Sequence, residues 1–361
     1  MRNRRKVLYL IGAGATHSEV QLYDNNINML TSDIAEGIRN KITQKKLSGL
    51  SEVINDLASE NVDIEQLITL YETSGLSKCQ KIAKSLRKAF MGEIQERLNK
   101  LPIDYKPLLL SALVDMYNVK SLDEELHGFL TLNYDTFIET AIQNVKSSIN
   151  LFLLIDNKNT NFKIELSEKP ILKLHGSFNW KNEFPISLIN ESDRRVDVLW
   201  IPPGVIKRRE QYPFSLLWGK AKELLHCDVL RVIGCSLNRN DWELVSLLQT
   251  TQRFRSRHKQ FSIELIDYDD EGKRKQKDYP YLNIKTALEL EGFKKNLMDD
   301  YSLSPGMGGE TTKAFEDYVN NKNNINIFER WLRWKGEELR KLKQDISTSK
   351  NIFKNFIEYN V

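Results

Sequence analysis

Six short apolar runs, with turn signals behind them, constrain what this chain can fold into more than any other feature. They are VLYLI (7–11), FLTLN (129–133), ILKLH (171–175), VLWIP (198–202), VLRVIG (229–234) and SIELID (262–267). The runs show little alternation of apolar and polar positions, so they read as strands covered on both faces rather than strands with one wet side. Helical patterns lie between them. Strands alternating with helices imply right-handed crossovers, and hence an α/β fold with a Rossmann-like, doubly wound parallel sheet. The first run follows a basic start, MRNRRK, and so has the outline of a signal peptide. Gly12-Ala13-Gly14 interrupts it after five residues, which fits a buried strand entering a tight turn better.

The first crossover is too long for one helix. Residues 26–118 are almost wholly helical in pattern and are expected to form a large helical insertion over the carboxyl ends of the strands, with a ligand cleft beneath it. Within it, Ser77-Lys78-Cys79-Gln80 is read as a capping box before a stripe of Ile82, Leu86, Phe90, Ile94 and Leu98. Asp63 to Tyr71 is a second amphipathic stretch. Residues 149–167 read as a hairpin around Asp156-Asn157-Lys158-Asn159. The loop Ser302 to Thr312 is a break, and beyond it Ile325, Phe328, Leu332, Leu339 and Leu342 mark a charged helix flanked by Trp331 and Trp334. The expected division is a catalytic domain over 1–290 and a C-terminal helical extension over 291–361, which either packs on its own core or docks another subunit.

Composition narrows the class of protein. With 53 Lys and Arg against 49 Asp and Glu in 361 residues, the formal charge of +4 does not argue for a nucleic-acid binder. Local basic clusters at 207–209, 253–259 and 273–275 are read first as solvated surface and second as a docking strip for phosphate or an acidic partner. Three cysteines, Cys79, Cys227 and Cys235, cannot supply a four-cysteine zinc site and make a disulfide framework improbable, which fits a reducing, cytoplasmic location. No run approaches the ~18 apolar residues of a membrane span.

The residues at the strand ends carry the chemistry. Gly12, Ala13, Gly14, Ala15 and Thr16 form a turn into a helix, where small side chains admit a pyrophosphate and the helix start offers N–H groups. The turn lacks the third glycine of GxGxxG and is a weak signal alone. Thr131-Leu132-Asn133-Tyr134-Asp135 closes the second strand; Asp135 suits a helix cap, whereas Asn133 has no such easy structural reason. His175, followed by Gly176 and Ser177, closes the third and suits general-base work near neutral pH, against the plainer reading of a hydrogen-bonded turn histidine. Gly234, Cys235 and Ser236 make a second small-residue turn before Asn240-Asp241-Trp242-Glu243. Asp267 ends the last run, either as a ribose hydroxyl acceptor or as a turn aspartate.

The Gly-Ala-Gly turn, the Thr-Leu-Asn-Tyr-Asp strand end, the Leu-His-Gly-Ser segment and the Gly-Cys-Ser-Leu turn, in this order over residues 7–267, resemble the sirtuin family. The forms are most similar to the divergent sirtuin-like domains of bacterial antiphage defence. Two family features are missing: the paired CxxC motifs that hold zinc, and the Pro-Asp-Phe-Arg segment, here Asn25-Asn26-Ile27-Asn28-Met29. Both losses disfavour protein deacylation. The resemblance therefore implies an NAD glycohydrolase with no zinc, in which Asn133, His175 and Asp135 are catalytic. It places Gly12 to Thr16, Ser177, Gly234, Cys235, Ser236 and Asp267 around the NAD substrate. It further implies homo-oligomerisation and a separate regulatory partner chain, of which a HerA-like hexameric ATPase is the first expectation. An NAD-dependent deacylase and a non-catalytic NAD or ADP-ribose sensor remain as alternatives.

Overall fold

The computed structural model describes residues 4–21, 23–53, 56–57, 63–102, 105–117, 124–144, 154–155, 164–165, 169–182, 198–201, 204, 212–237, 239–255, 261–266, 278–282 and 284–286. Asp267, the basic clusters at 207–209 and 273–275, and the whole 291–361 extension lie outside the described residues.

The elements run β1 (Arg5–Ile11), α1 (Ala13–Gln21), α2 (Thr31–Thr43), a 3-10 turn (Ser48–Val53), α3 (Ile64–Thr73), α4 (Ser77–Leu98), α5 (Leu108–Met116), β2 (Glu124–Thr131), α6 (Phe137–Asn144), β3 (Leu154–Ile155), β4 (Ile164–Glu165), β5 (Ile171–Lys173), β6 (Gly176–Lys181), β7 (Val198–Trp200), α7 (Phe214–Leu224), β8 (Val229–Ile233), a 3-10 turn (Arg239–Asp241), α8 (Trp242–Arg255), β9 (Ser262–Ile266) and β10 (Ile284–Thr286). Six strands form one sheet in the order β10-β9-β8-β1-β2-β5, and every pairing in it is parallel. From β1 the chain steps outward through β2 and β5, then returns and steps outward the other way through β8, β9 and β10. The reversal falls between β1 and β8, and in an open α/β sheet the ligand crevice opens at the carboxyl end of such a reversal.

The continuous apolar runs are explained by two cores, one on each face. Val7, Tyr9 and Ile11 of β1 point into a core with Val20 of α1, Leu110 and Leu113 of α5, and Ile138 and Ala141 of α6. Leu8 and Leu10 point into the opposite core with Leu217 and Ala221 of α7 and Leu244 and Leu248 of α8. A period of two is present, but both phases are apolar because both faces are covered.

Three expectations need correction. The run at 198–202 is not in the parallel sheet: β7 pairs antiparallel with β6, which begins directly after His175. A short apolar run carries no record of its partner, and Gly176 at φ +80 turns the chain into this hairpin. The sixth parallel strand, β10, is only three residues long and was missed. The capping box at Ser77 is not formed, because Ser77 is already the first helical residue and the cap position falls to Leu76, which has no side-chain acceptor. The antiparallel pairing of β3 with β4 matches the expected hairpin.

The 26–118 block proves to be two things. Helices α2, α3 and α4 and the first 3-10 turn share their own core, including Ile34, Ile38, Leu67, Ile68, Leu86 and Phe90. Helix α5 belongs instead to the sheet. The buried carboxylate of Glu19 accepts from the amides of Leu109 (2.9 Å) and Leu110 (3.0 Å), capping the α5 amino end and tying it to α1. Charge is also buried in the sheet. Arg231 of β8, 0% exposed, pairs with Glu264 of β9 at 2.8 Å, and Glu264 also pairs with Arg5 at 2.6 Å.

Candidate functional site

Parallel register brings the strand ends level. Ile11 is the partner of both Thr131 and Ile233, so the segments that follow, starting at Gly12, Leu132 and Gly234, leave the sheet side by side. Beneath the helical insertion they open into a cleft of about 860 Å³, within the range of small-molecule sites. Gly12, Ala13, Gly14, Ala15, Thr16, Asn133, Asp135, His175, Gly234, Cys235 and Ser236 all line it. Ser177 does not: it is fully buried, its hydroxyl 2.6 Å from Asn179 Oδ1 and 3.1 Å from the Tyr134 carbonyl oxygen.

The glycines of the two turns serve first to bring the turns together. The Gly14 amide donates to the Gly234 carbonyl at 2.7 Å, and the Gly12 amide to the Ile233 carbonyl at 2.9 Å. A Cβ on Gly12 would stand 2.6 Å from the Cys235 Cα, and one on Gly234 would stand 2.0 Å from the Ala15 nitrogen. Two N–H groups expected to face a phosphate are thus engaged within the protein, Gly14 with Gly234 and Ala15 with the Gly12 carbonyl (3.0 Å).

Asn133, 9% exposed, is held by both of its amide hydrogens. Nδ2 donates to the Gly12 carbonyl (2.9 Å) and to Thr16 Oγ1 (2.8 Å). A carbonyl oxygen only accepts, so this contact fixes which end of the amide is nitrogen. Asn133 Oδ1 is left without a partner among the described residues. Thr16 in turn donates to Asp135 Oδ2 at 2.6 Å, and Asp135 Oδ1 accepts from the Phe137 amide at 3.0 Å, capping α6. Asp135 is therefore both the expected helix cap and a support for Asn133 through Thr16. The Thr16 hydroxyl is occupied by these two neighbours.

His175 is 5% exposed, and its carbonyl accepts from the Ile201 amide at 2.8 Å. Gly176 is required behind it, because a Cβ there would lie 2.4 Å from the Leu199 carbonyl oxygen. The His175 ring lies 6.4 Å from the Tyr134 ring, which stacks on Phe178 (5.0 Å) and meets Trp200 edge-on (5.2 Å). Tyr134 donates to the Ile201 carbonyl at 2.9 Å. Burial, with the nearby charges of Glu65 and Asp241, pushes its phenol well above the usual range, so it stays protonated. Tyr134 and Trp200 also pack on the core of the helical insertion, which places the histidine where sheet and insertion meet.

The insertion supplies lining residues that strand-end reasoning missed: Met29 to Ser32, Asp63 and Glu65. Asp63 caps α3 through the Glu65 amide (2.8 Å), and Asn240 Nδ2 donates to Asp63 Oδ2 at 2.5 Å, joining the insertion to the α8 side. An N-cap aspartate is visible in a sequence; that it also faces a cleft is not. Asp63, Glu65, Asp135 and Asp241 line the cleft, and no lysine or arginine does so among the described residues.

Residues 127–287 match the family model described as the SIR2-like domain. That likeness to a SIR2-like domain spans just under half of the chain. No curated protein matches it. Among solved structures it is similar to a Sir2 homologue in complex with NAD, at 14% identity over 78% of this chain and 84% of that one, with a TM-score of 0.38. It is similar also to two point mutants of a Sir2 homologue in complex with ADP-ribose, each at 14% identity over 72% of this chain and 80% of that one, with TM-scores of 0.34. At that level the likeness bears on neither ligand nor mechanism. Among the described residues, no three His, Cys, Asp or Glu side chains converge as a metal site, and the three cysteines are not joined in disulfides. No described helix is long and apolar enough to cross a membrane.

Proposed function

We propose that this chain hydrolyses the nicotinamide–ribose bond of NAD, giving nicotinamide and ADP-ribose, and that it acts as an antiphage effector by depleting NAD. The observation that carries the reading is Asn133: both amide hydrogens are tied down at the junction of two strand ends, while its Oδ1 remains to accept from a group in the cleft. A ribose hydroxyl or the attacking water is such a group. Bond cleavage sends the electron pair out with neutral nicotinamide and leaves a cationic, oxocarbenium-like ribose. The carboxylates lining the cleft, with no lysine or arginine among its described lining residues, favour that developing charge. Water adds to the ribose, and His175 is the group suited to take its proton. The leaving group is already positive, so positioning outweighs acid catalysis.

The test is nicotinamide release from NAD by the purified protein. Asn133→Ala should abolish release in a protein that still folds; full activity in that variant refutes the assignment. A fully active His175→Ala removes the second role. Release only in the presence of an acylated peptide would favour the deacylase reading, and NAD binding without turnover the sensor reading. The antiphage role, the homo-oligomer and the HerA-like partner rest on family resemblance. They are tested by the mass of the purified complex and by NAD levels in infected cells carrying the wild-type or Asn133→Ala chain.

A further inference from the structure

The cleft has a wall that no strand end supplies. Met29 and Leu30, at the end of the connection from α1, line it together with Thr31 and Ser32, the first residues of α2. An irregular connection of this kind would ordinarily be the mobile part of a site. Here it is fastened from both sides. From α1, Gln21 Nε2 donates to Asn28 Oδ1 (3.0 Å) and His17 Nδ1 accepts from the Met29 amide (3.1 Å). From α4, a single guanidinium spans the segment: Arg97 Nη2 donates to the Asp33 carbonyl at 2.7 Å, and Nη1 donates to the Asn28 carbonyl.

Arg97 is itself held. Its Nε donates to Glu93 Oε1 at 2.8 Å, and Lys41 Nζ lies 2.6 Å from Glu93 Oε2. The side chains of Arg97 and Glu93 are 14% and 8% exposed, so the pair is largely out of water. Gly37 of α2 makes room for it: a Cβ there would fall 2.2 Å from Glu93 Oε1 and 2.6 Å from Arg97 Nη2. The planar fork carries its donors on three separate nitrogens, one for each of the two carbonyls and the carboxylate, a spread that the single nitrogen of a lysine cannot reproduce.

We propose that Arg97 is a positioning residue that fixes the Met29–Ser32 wall in its ligand-binding shape before the ligand arrives. The proposal rests on the NAD reading for its substrate but not for its geometry. Without Arg97 the ordering of the wall falls to the ligand, so affinity suffers and the chemical step, which belongs to Asn133 and His175, does not.

The experiment measures NAD turnover and amide hydrogen exchange in Arg97→Ala, Arg97→Lys and Arg87→Ala. Arg87 pairs with Glu72 inside the same insertion, away from the wall, and controls for general loosening. Arg97→Ala should raise KM about tenfold, the scale of one lost charge-assisted hydrogen bond, with kcat within about twofold. Arg97→Lys should recover only part, and Arg87→Ala should leave KM unchanged. The Met29 and Leu30 amides should exchange faster in Arg97→Ala alone. An unchanged KM, a loss confined to kcat, or equal effects in Arg87→Ala would overturn the proposal. If the wild-type chain releases no nicotinamide, the NAD reading fails by itself, and the exchange rates still decide whether Arg97 holds the wall.

Discussion

Gly234→Ala tests whether the two strand-end turns are locked to each other. Gly234 sits at φ +60, where an alanine costs about 1 kcal/mol or more in backbone energy. The added methyl would lie 2.0 Å from the Ala15 nitrogen and 2.5 Å from the Gly14 carbonyl carbon, all backbone that no rotamer change can clear. The turns must part by more than an ångström, which breaks the 2.7 Å bond from Gly14 to Gly234 and strains the 2.9 Å bond from Gly12 to Ile233. Each buried donor left unpaired costs about 1–3 kcal/mol, so a total near 4 kcal/mol is expected. The same substitution at Gly92, in the interior of α4 with no atom within 4 Å of the added Cβ, should stabilise by roughly 0.5–1 kcal/mol. Urea midpoints at constant m-value measure both. Gly234→Ala should also abolish NAD binding by calorimetry, because Asn133 is held by Gly12 and Thr16 of the displaced turn. A Gly234→Ala protein as stable as wild type would refute the locked-turn reasoning, as would a Gly92→Ala protein that is equally destabilised.

Other perturbations reach different parts of the molecule. Thr16→Val removes the link between Asn133 and Asp135 and should lower kcat roughly 100-fold, while Thr16→Ser keeps most activity; nicotinamide release measures it. Glu264→Ala takes away the carboxylate that pairs with the fully buried Arg231 guanidinium and should cost about 3–5 kcal/mol, read from the urea midpoint, whereas replacing Arg231 and Glu264 together with Met and Leu should cost far less. Burial and the 2.6 Å hydrogen bond to Asp56 push the Tyr71 phenol up to about 12. Its folded value lies above the unfolded one, so its stabilisation is complete below pH 10 and is lost as pH rises toward 12. Tyrosinate absorbance should show this late phase, and Asp56→Asn should move it back toward 10.

Strand positions were legible because burial on both faces demands apolar residues at every position, as in Val7 to Ile11, and because a strand end in a parallel sheet is marked by a change to small or polar residues. Partnership was not. VLWIP has the same composition as its neighbours, yet β7 pairs antiparallel with β6, since pairing depends on where Gly176 turns the chain. Asn133 stood out in the sequence because nothing local explained it, and its partners, Gly12 and Thr16, lie 121 and 117 residues away. Ser177 was indistinguishable from the other candidates by sequence, and the fold buries it with its hydroxyl beside Asn179 and the Tyr134 carbonyl.

By itself the sequence determined the α/β class, the parallel sheet, the strand ends and the family likeness, because these follow from local burial and from residues close together in the chain. Tertiary structure alone decided that Gly14 bonds Gly234, that α5 belongs to the sheet while α2, α3 and α4 share a separate core, and that Arg97 holds a cleft wall some seventy residues before it. The physical reason is common to all three. A hydrogen-bond donor or an apolar face states what it needs but not where its partner lies, and only the assembled sheet with the insertion packed over it brings those partners within reach.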